Sequence, residues 1–210
     1  MRHLSVTESS DTLNLIANQK KAIREAAHAN RRNQLDKDAV SEAIVARFML
    51  LPEFENAHTV MFYVDVRDEV RTRHALPKAL QSNKRIVIPY CVDGELELFH
   101  LESMDELELG MYKILEPKAE LRSVPEKRLG PSDLELIMVP GVAFDKHGGR
   151  TGHGKGYYDK LLEHAPASTP LIALAFECQL FPEIPCAAHD IYMDKVVTEA
   201  AVYAGRGRIS

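Results

Sequence analysis

The residues best suited to chemistry lie between Leu134 and Leu162, in the string LELIMVPGVAFDKHGGRTGHGKGYYDKLL. Five glycines, Gly148, Gly149, Gly152, Gly154 and Gly156, are interleaved with Arg150 and Lys155. Without side chains, glycines let backbone N–H groups approach phosphate oxygens, and the two cations can neutralise the anion. Leu136 to Val139 is a short apolar run typical of a buried strand, and Tyr157 to His164 carries Leu161 and Leu162 at helical spacing. The spacing therefore predicts a phosphate loop between a strand and a helix whose positive end faces the phosphate. Asp159, in the first turn of that helix, is placed to hold a magnesium ion against the same phosphates.

Two better-known loops are excluded. Gly149, Gly154 and Lys155 satisfy most of a Walker A pattern, but Gly156 stands where a magnesium-binding Ser or Thr is needed. Gly152 and Gly154 begin a dinucleotide fingerprint that fails at Tyr157, where the third glycine belongs. A flexible, solvated glycine-rich loop is the plain alternative.

Other candidates are scattered. Lys20 and Arg24, four apart, share a face if their segment is helical and could grip a polyphosphate from outside the loop. Asp65, Asp68 and Glu69 follow an apolar segment beginning at Tyr63, near the strand edge where open α/β sheets bind ligands. Carboxylates there either accept paired N–H bonds from a heterocycle or cap the next helix, and spacing does not choose between them. Asp190 is either a second magnesium ligand or a turn residue. The nine histidines show no zinc-type spacing, no G-x-S-x-G elbow occurs, and none of the three cysteines is set up as a nucleophile.

The elements that must position these groups can be read from the apolar pattern. Asp11 to Gln34 reads as one long helix carrying Lys20, Lys21, Arg24, Arg31 and Arg32, and Ala39 to Leu50 as a second. Thr59 to Val64, Arg85 to Pro89, Glu95 to His100, Leu171 to Phe176 and Lys195 to Thr198 read as strands, with a helix over Val70 to Gln81 bent near Pro77. Strands alternating with helices predict a single α/β domain over residues 1–210, built on a mostly parallel open sheet with helices on both faces. Flexible ends are expected over residues 1–10 and 204–210.

With 45% hydrophobic residues in 210, a substantial core is available. A net charge of −5 speaks against a general nucleic-acid-binding field. An odd, unpaired cysteine set fits a reducing compartment, and no signal-like or membrane-spanning run is present, so a cytoplasmic monomer is expected.

The string Pro140 to Asp145 followed by Gly149 to Asp159 closely resembles the signature of the 5-formyltetrahydrofolate cyclo-ligases. Lys20 to Arg24, Asp68-Glu69, Ile114 to Pro117 and His189-Asp190 resemble further motifs of that family, in family order. The resemblance implies ATP contacts from Lys20, Lys21, Ala22, Ile23 and Arg24, and from Arg150, Thr151, Gly152, His153, Gly154, Lys155, Gly156, Tyr157 and Tyr158. It implies folate contacts from Val64, Glu69 and His153 to Tyr157, and magnesium on Asp159 and Asp190. The implied reaction passes the terminal phosphoryl of ATP to the formyl oxygen of the reduced folate and then closes a ring. Arg150 and Lys155 would carry the charge of the transferred group. The chain departs from the family pattern at His153, where members often carry Tyr, Phe or Arg, at Tyr90 and at Tyr112-Lys113. A small-molecule kinase and a catalytically silent nucleotide- or folate-binding regulator remain as alternatives.

Overall fold

A computed structural model of the protein describes residues 10–110, 114–188 and 190–208. In chain order the helices are α1 (Ser10–Asn33), α2 (Lys37–Met49), α3 (Pro52–Asn56), α4 (Leu76–Leu80) and α5 (Tyr157–His164). The strands are β1 (Thr59–Met61), β2 (Arg85–Val92), β3 (Glu95–Leu101), β4 (Leu107–Leu109), β5 (Leu115–Pro117), β6 (Arg128–Leu129), β7 (Leu136–Val139), β8 (Ala143–Phe144), β9 (Arg150–Thr151), β10 (Leu171–Leu174), β11 (Lys195–Val197) and β12 (Val202–Ala204). The main sheet has the order β12-β11-β10-β7-β1-β2-β3-β6. Its five inner strands, β11, β10, β7, β1 and β2, are parallel, and antiparallel pairings finish the two edges.

The all-apolar strands follow from burial on both faces. Val60, Ile86, Leu136 and Ile172 face α2, α3 and α4, where Phe48, Phe54 and Phe62 pack with ring centroids 5.5 to 6.2 Å apart. Met61, Val87, Ile137 and Ala173 face the other way, onto Leu161 and Leu162 of α5. Along the parallel strands the chain runs outward from β1 to β2 on one side and from β7 through β10 to β11 on the other. The carboxyl ends of β1 and β7 therefore flank the crevice where this class of sheet binds ligands.

Several boundaries differ from the sequence reading. The strand beginning at Thr59 ends at Met61, because Tyr63 and Asp65 turn to hold the following loop: Thr72 Oγ1 donates to the Tyr63 carbonyl (2.5 Å), and Asp65 accepts the N–H of Thr72 (3.0 Å) and of Arg73 (2.9 Å). The expected helix over 70–81 is only α4, with Pro77 in its first turn, where proline initiates rather than bends. Residues 204–208, expected to be flexible, are bonded to the body of the protein. Gly205 and Arg206 donate backbone bonds to Asp194 and His147 (both 2.8 Å), and the Arg208 side chain binds the carbonyls of Ala165, Pro166 and Thr169. Ser10 likewise opens α1.

Gly148 shows why the tail stays docked. Its φ of +89° is left-handed, and a Cβ there would stand 2.3 Å from the Met193 carbonyl oxygen. The substitution Gly148→Ala is expected to cost on the order of 2–3 kcal/mol through strain and this clash. Urea denaturation should show a lower midpoint with an unchanged slope; a shift below about 0.5 kcal/mol would mean that the contact yields easily.

Candidate functional site

Helix α1 meets the body of the protein through a stripe of residues spaced four, three and four apart. Lys20 Nζ pairs with Asp190 Oδ2 at 2.5 Å, and Arg24 Nε donates to Thr151 Oγ1 at 3.3 Å. Ala27 packs on Val142 and Ala143, and Arg31 Nε donates to the Asp68 carbonyl at 2.9 Å. Such spacing keeps one helical face in register, so the sequence of α1 lays cations along the carboxyl edge of the sheet. Only Ala27 and Arg31 of the helix are buried, so polar bonds carry much of its docking.

The glycine segment under α1 is folded rather than loose. β8 and β9 make a small hairpin, pairing Ala143 with Thr151 and Phe144 with Arg150. Asp145, buried at its turn, accepts the N–H groups of His147 (2.8 Å), Gly149 (2.9 Å) and Ile184 (2.8 Å). This carboxylate replaces three backbone partners that the turn cannot supply itself. The Arg24 guanidinium lies beside Gly154, where a Cβ would stand 3.7 Å from Cζ. Gly156 precedes α5 and supplies no side-chain cap, leaving the helix's first N–H groups without a side-chain acceptor. Helix ends of this kind suit an anion. Arg150, 8% exposed, binds Asp159 and the Pro140 carbonyl, while its Nε has no partner among the described residues. Lys155 is exposed, lies 5.7 Å from the Tyr157 ring centre and makes no ion pair among the described residues.

At the other end of the crevice stands Glu69. Its Oε2 accepts the Val66 N–H at 3.1 Å and its Oε1 lies 3.5 Å from His153 Nε2. The carboxylate is buried, so it closes its own turn with one oxygen and leaves the other toward the glycine segment. Asp65 and Asp68 are spoken for: Arg73 takes Asp65 through two nitrogens (2.9 and 2.8 Å), and Lys37 takes Asp68 at 2.6 Å. Hydrogen bonding from Lys37 holds the Asp68 carboxyl below its ordinary range. Burial, then the Glu69 charge, push the Tyr158 hydroxyl well above its ordinary range against the opposing pull of Arg150, so the phenol is a neutral donor at physiological pH.

His153 also stacks on His28, with ring centres 5.6 Å apart and planes 27° from parallel. Burial, then Arg31, His153, Arg32 and Arg67, lower the His28 pKa from its ordinary value near 6.5. Folded His28 thus binds its proton more weakly than the unfolded chain does. The stability this contributes is complete above about pH 6.5 and is lost as pH falls below it. Melting temperature is expected to drop more steeply between pH 7.5 and 5 in the native chain than in His28→Gln; parallel profiles would show that the stack does not sense protonation.

The structure brings together Lys20 with Asp190, Arg24 with Thr151 and Gly154, Arg150 with Asp159, and His153 with Glu69, a set in which Tyr158 feels the charges of Glu69 and Arg150. Val64 is buried beneath it, and Ile23 packs beside Val142. Lys21 and Ala22 are exposed and have no side-chain hydrogen bond within the set. Tyr90 bonds Glu97 at 2.6 Å on the β2–β3 side, and burial and Glu97 push its pKa up to about 12. His189, Tyr112 and Lys113 lie outside the described residues. Among the described residues, no group of three or more His, Cys, Asp or Glu is arranged to hold a metal ion. Asp159 and Asp190 nevertheless each keep one carboxylate oxygen, Oδ2 and Oδ1, without a described partner. A magnesium ion that takes its remaining oxygens from phosphate and water is compatible with that donor set. Sequence reasoning assigned no role to His28 or to the pairing of Arg31 with Asp68, and it placed Asp145 in the signature string without its part in the turn; Arg31 left a signal in its place seven residues after Arg24.

These features define a doubly wound α/β protein with several cations on one side of its switch point and a buried carboxylate on the other. A model of the 5-formyltetrahydrofolate cyclo-ligase family matches residues 16–199. The chain is 32% identical over 179 residues to a probable 5-formyltetrahydrofolate cyclo-ligase of Schizosaccharomyces pombe, covering 79% of this chain and 86% of that one. It is 30% identical over 168 residues to the 5-formyltetrahydrofolate cyclo-ligase of Escherichia coli K12, covering 78% and 90%. The solution structure of Aquifex aeolicus 5,10-methenyltetrahydrofolate synthetase superposes with a TM-score of 0.76 at 31% identity, over 93% of this chain and 95% of that one. The chain belongs to the 5-formyltetrahydrofolate cyclo-ligase family, and it is an enzyme of that family.

Proposed function

We propose that the protein converts 5-formyltetrahydrofolate and ATP to 5,10-methenyltetrahydrofolate, ADP and phosphate. One observation supports this reading above the others: phosphate-suited cations and the Glu69 carboxylate meet at one edge of the sheet, joined by His153 and spanned by α1. Glu69 Oε1 accepts N–H groups of the pterin, while Lys20, Arg24, Arg150 and Lys155 surround the triphosphate with the free N–H groups of α5. The formyl oxygen attacks the terminal phosphorus and ADP leaves. Nitrogen 10 then attacks the activated carbon, the carbon–oxygen bond breaks with loss of phosphate, and the nitrogen 10 proton departs to solvent. Phosphoryl transfer asks mainly for alignment and charge neutralisation, which these side chains provide without a nucleophilic triad.

Asp159 and Asp190 are the residues that would hold magnesium, whose chemistry there is polarisation of phosphoryl oxygens. In the same reading Arg150 and Lys20 pass from these carboxylates to the incoming phosphates. The enzyme acts as a cytoplasmic monomer on small molecules, with neither nucleic acid nor membrane as partner. Folate carrying a heavy-oxygen label in its formyl group tests the route. The label is expected in the released phosphate; phosphate without it would exclude transfer to the formyl oxygen.

A further inference from the structure

Arg31 is the only charged residue that α1 buries, at 1% exposed, and the reaction outlined above gives it no task. Its Nε holds the Asp68 carbonyl at 2.9 Å, and its Nη1 has no partner among the described residues. Lys37, at the start of α2, holds the carboxylate of the same Asp68 at 2.6 Å. Two helices thus fasten one residue, and that residue is the neighbour of Glu69.

The turn they fasten is a strained one. Arg67 has φ of +53°, a left-handed conformation that a non-glycine residue keeps only when its surroundings impose it. The Glu69 N–H donates to the Val66 carbonyl (3.2 Å) while Glu69 Oε2 accepts the Val66 N–H (3.1 Å). With Oε2 used inside the turn, the direction of Oε1 depends on how firmly the turn is held. A buried guanidinium with an unfilled N–H is a poor stability device, because its desolvation is incompletely repaid. Local features that oppose stability are characteristic of sites kept for function.

We propose that Arg31, assisted by Lys37, is a positioning residue that locks the Val66–Glu69 turn so that Glu69 presents Oε1 to the N–H groups of the pterin. Because Arg31 follows Arg24 by seven residues on one helical face, about 10 Å along the axis, α1 sets the folate carboxylate relative to the phosphate cradle. This inference rests on the cyclo-ligase reading.

Steady-state kinetics on the full chain decides it. Arg31→Met is expected to raise the KM for 5-formyltetrahydrofolate about ten-fold, to leave the KM for ATP within about two-fold, and to be partly rescued in Arg31→Lys. Combined with Glu69→Gln, it should add little to the effect of Glu69→Gln alone, since both act through one carboxylate. Equal rises in both KM values, or full additivity in the double variant, would overturn the proposal. Should Arg31→Met fail to fold, Lys37→Met decides: a rise of about three-fold in the folate KM alone supports the proposal, and an unchanged value overturns it. If the native chain, folded and binding ATP, turns over no 5-formyltetrahydrofolate, the functional reading falls and this inference falls with it. A native chain that turns over while Arg31→Met keeps its folate KM removes this inference alone.

Discussion

Replacing Lys155 by Met is expected to slow turnover about 10²- to 10³-fold, the usual loss when one electrostatic donor to a developing anion is removed. The site makes this a clean experiment. Lys155 is exposed and has no described ion pair, and its nearest recorded aromatic neighbour is Tyr157 at 5.7 Å. Methionine keeps the length and apolar stem, so the fold and the stacking of the stem should survive. The loss should fall mainly on kcat, since charge on the transferred phosphoryl is redistributed in the transition state. Arg150 would be a poorer choice for the same question. Its removal also strands Asp159 and empties a buried position, mixing structural and catalytic effects. An unchanged rate in Lys155→Met, with circular dichroism unchanged, would remove Lys155 from the mechanism.

Glu69→Gln carries the second large effect. The amide is isosteric and can still accept the Val66 N–H, so the turn is preserved while the charge is lost. A hydrogen bond to a charged group contributes about 1.5–3 kcal/mol, which corresponds to roughly 10- to 100-fold in affinity. The KM for the folate is expected to rise by that factor with the KM for ATP little changed. If both rise together, Glu69 is only a turn cap and the pterin is bound elsewhere.

The asymmetry between these residues explains what the sequence disclosed. Parallel strands such as Leu136–Val139 and Leu171–Leu174 are buried on both faces, so their apolar runs declared themselves. The glycine segment suggested a phosphate cradle at the sequence level because close backbone approach needs glycine whatever surrounds it. The β8–β9 hairpin within it was not legible: two-residue strands carry no periodicity, and the turn depends on Asp145, whose partner Ile184 lies 39 positions away. Spacing alone did not choose among Asp65, Asp68 and Glu69, since each is an acid after a strand; the family resemblance pointed to Glu69, and in the structure Arg73 and Lys37 engage the other two. Two edge strands were not read from the sequence for a related reason. Strands β6 and β12 are short, partly exposed and held by neighbours rather than by their own pattern. His28 could not have been singled out, because its stack with His153 joins segments 125 residues apart and obeys no spacing rule.

In the proposed reaction Asp159 and Asp190 serve the phosphates and Glu69 the pterin. There the cations on Asp159 and Asp190 turn to phosphate when nucleotide enters; Asp190 also accepts the Ala187 N–H at 2.6 Å within its own turn. Glu69 is held by a backbone N–H within its own turn, so its direction is set before substrate arrives.

The central claim is that one crevice joins ATP to a reduced folate and closes its ring. The most direct measurement mixes purified protein with ATP, magnesium and 5-formyltetrahydrofolate and follows near-ultraviolet absorbance together with ADP. Growth of the methenyl product's absorbance in step with ADP, one for one, is the predicted result. Folded, ATP-binding protein that releases a phosphorylated product without cyclisation, or that binds both ligands and releases no ADP, would contradict it.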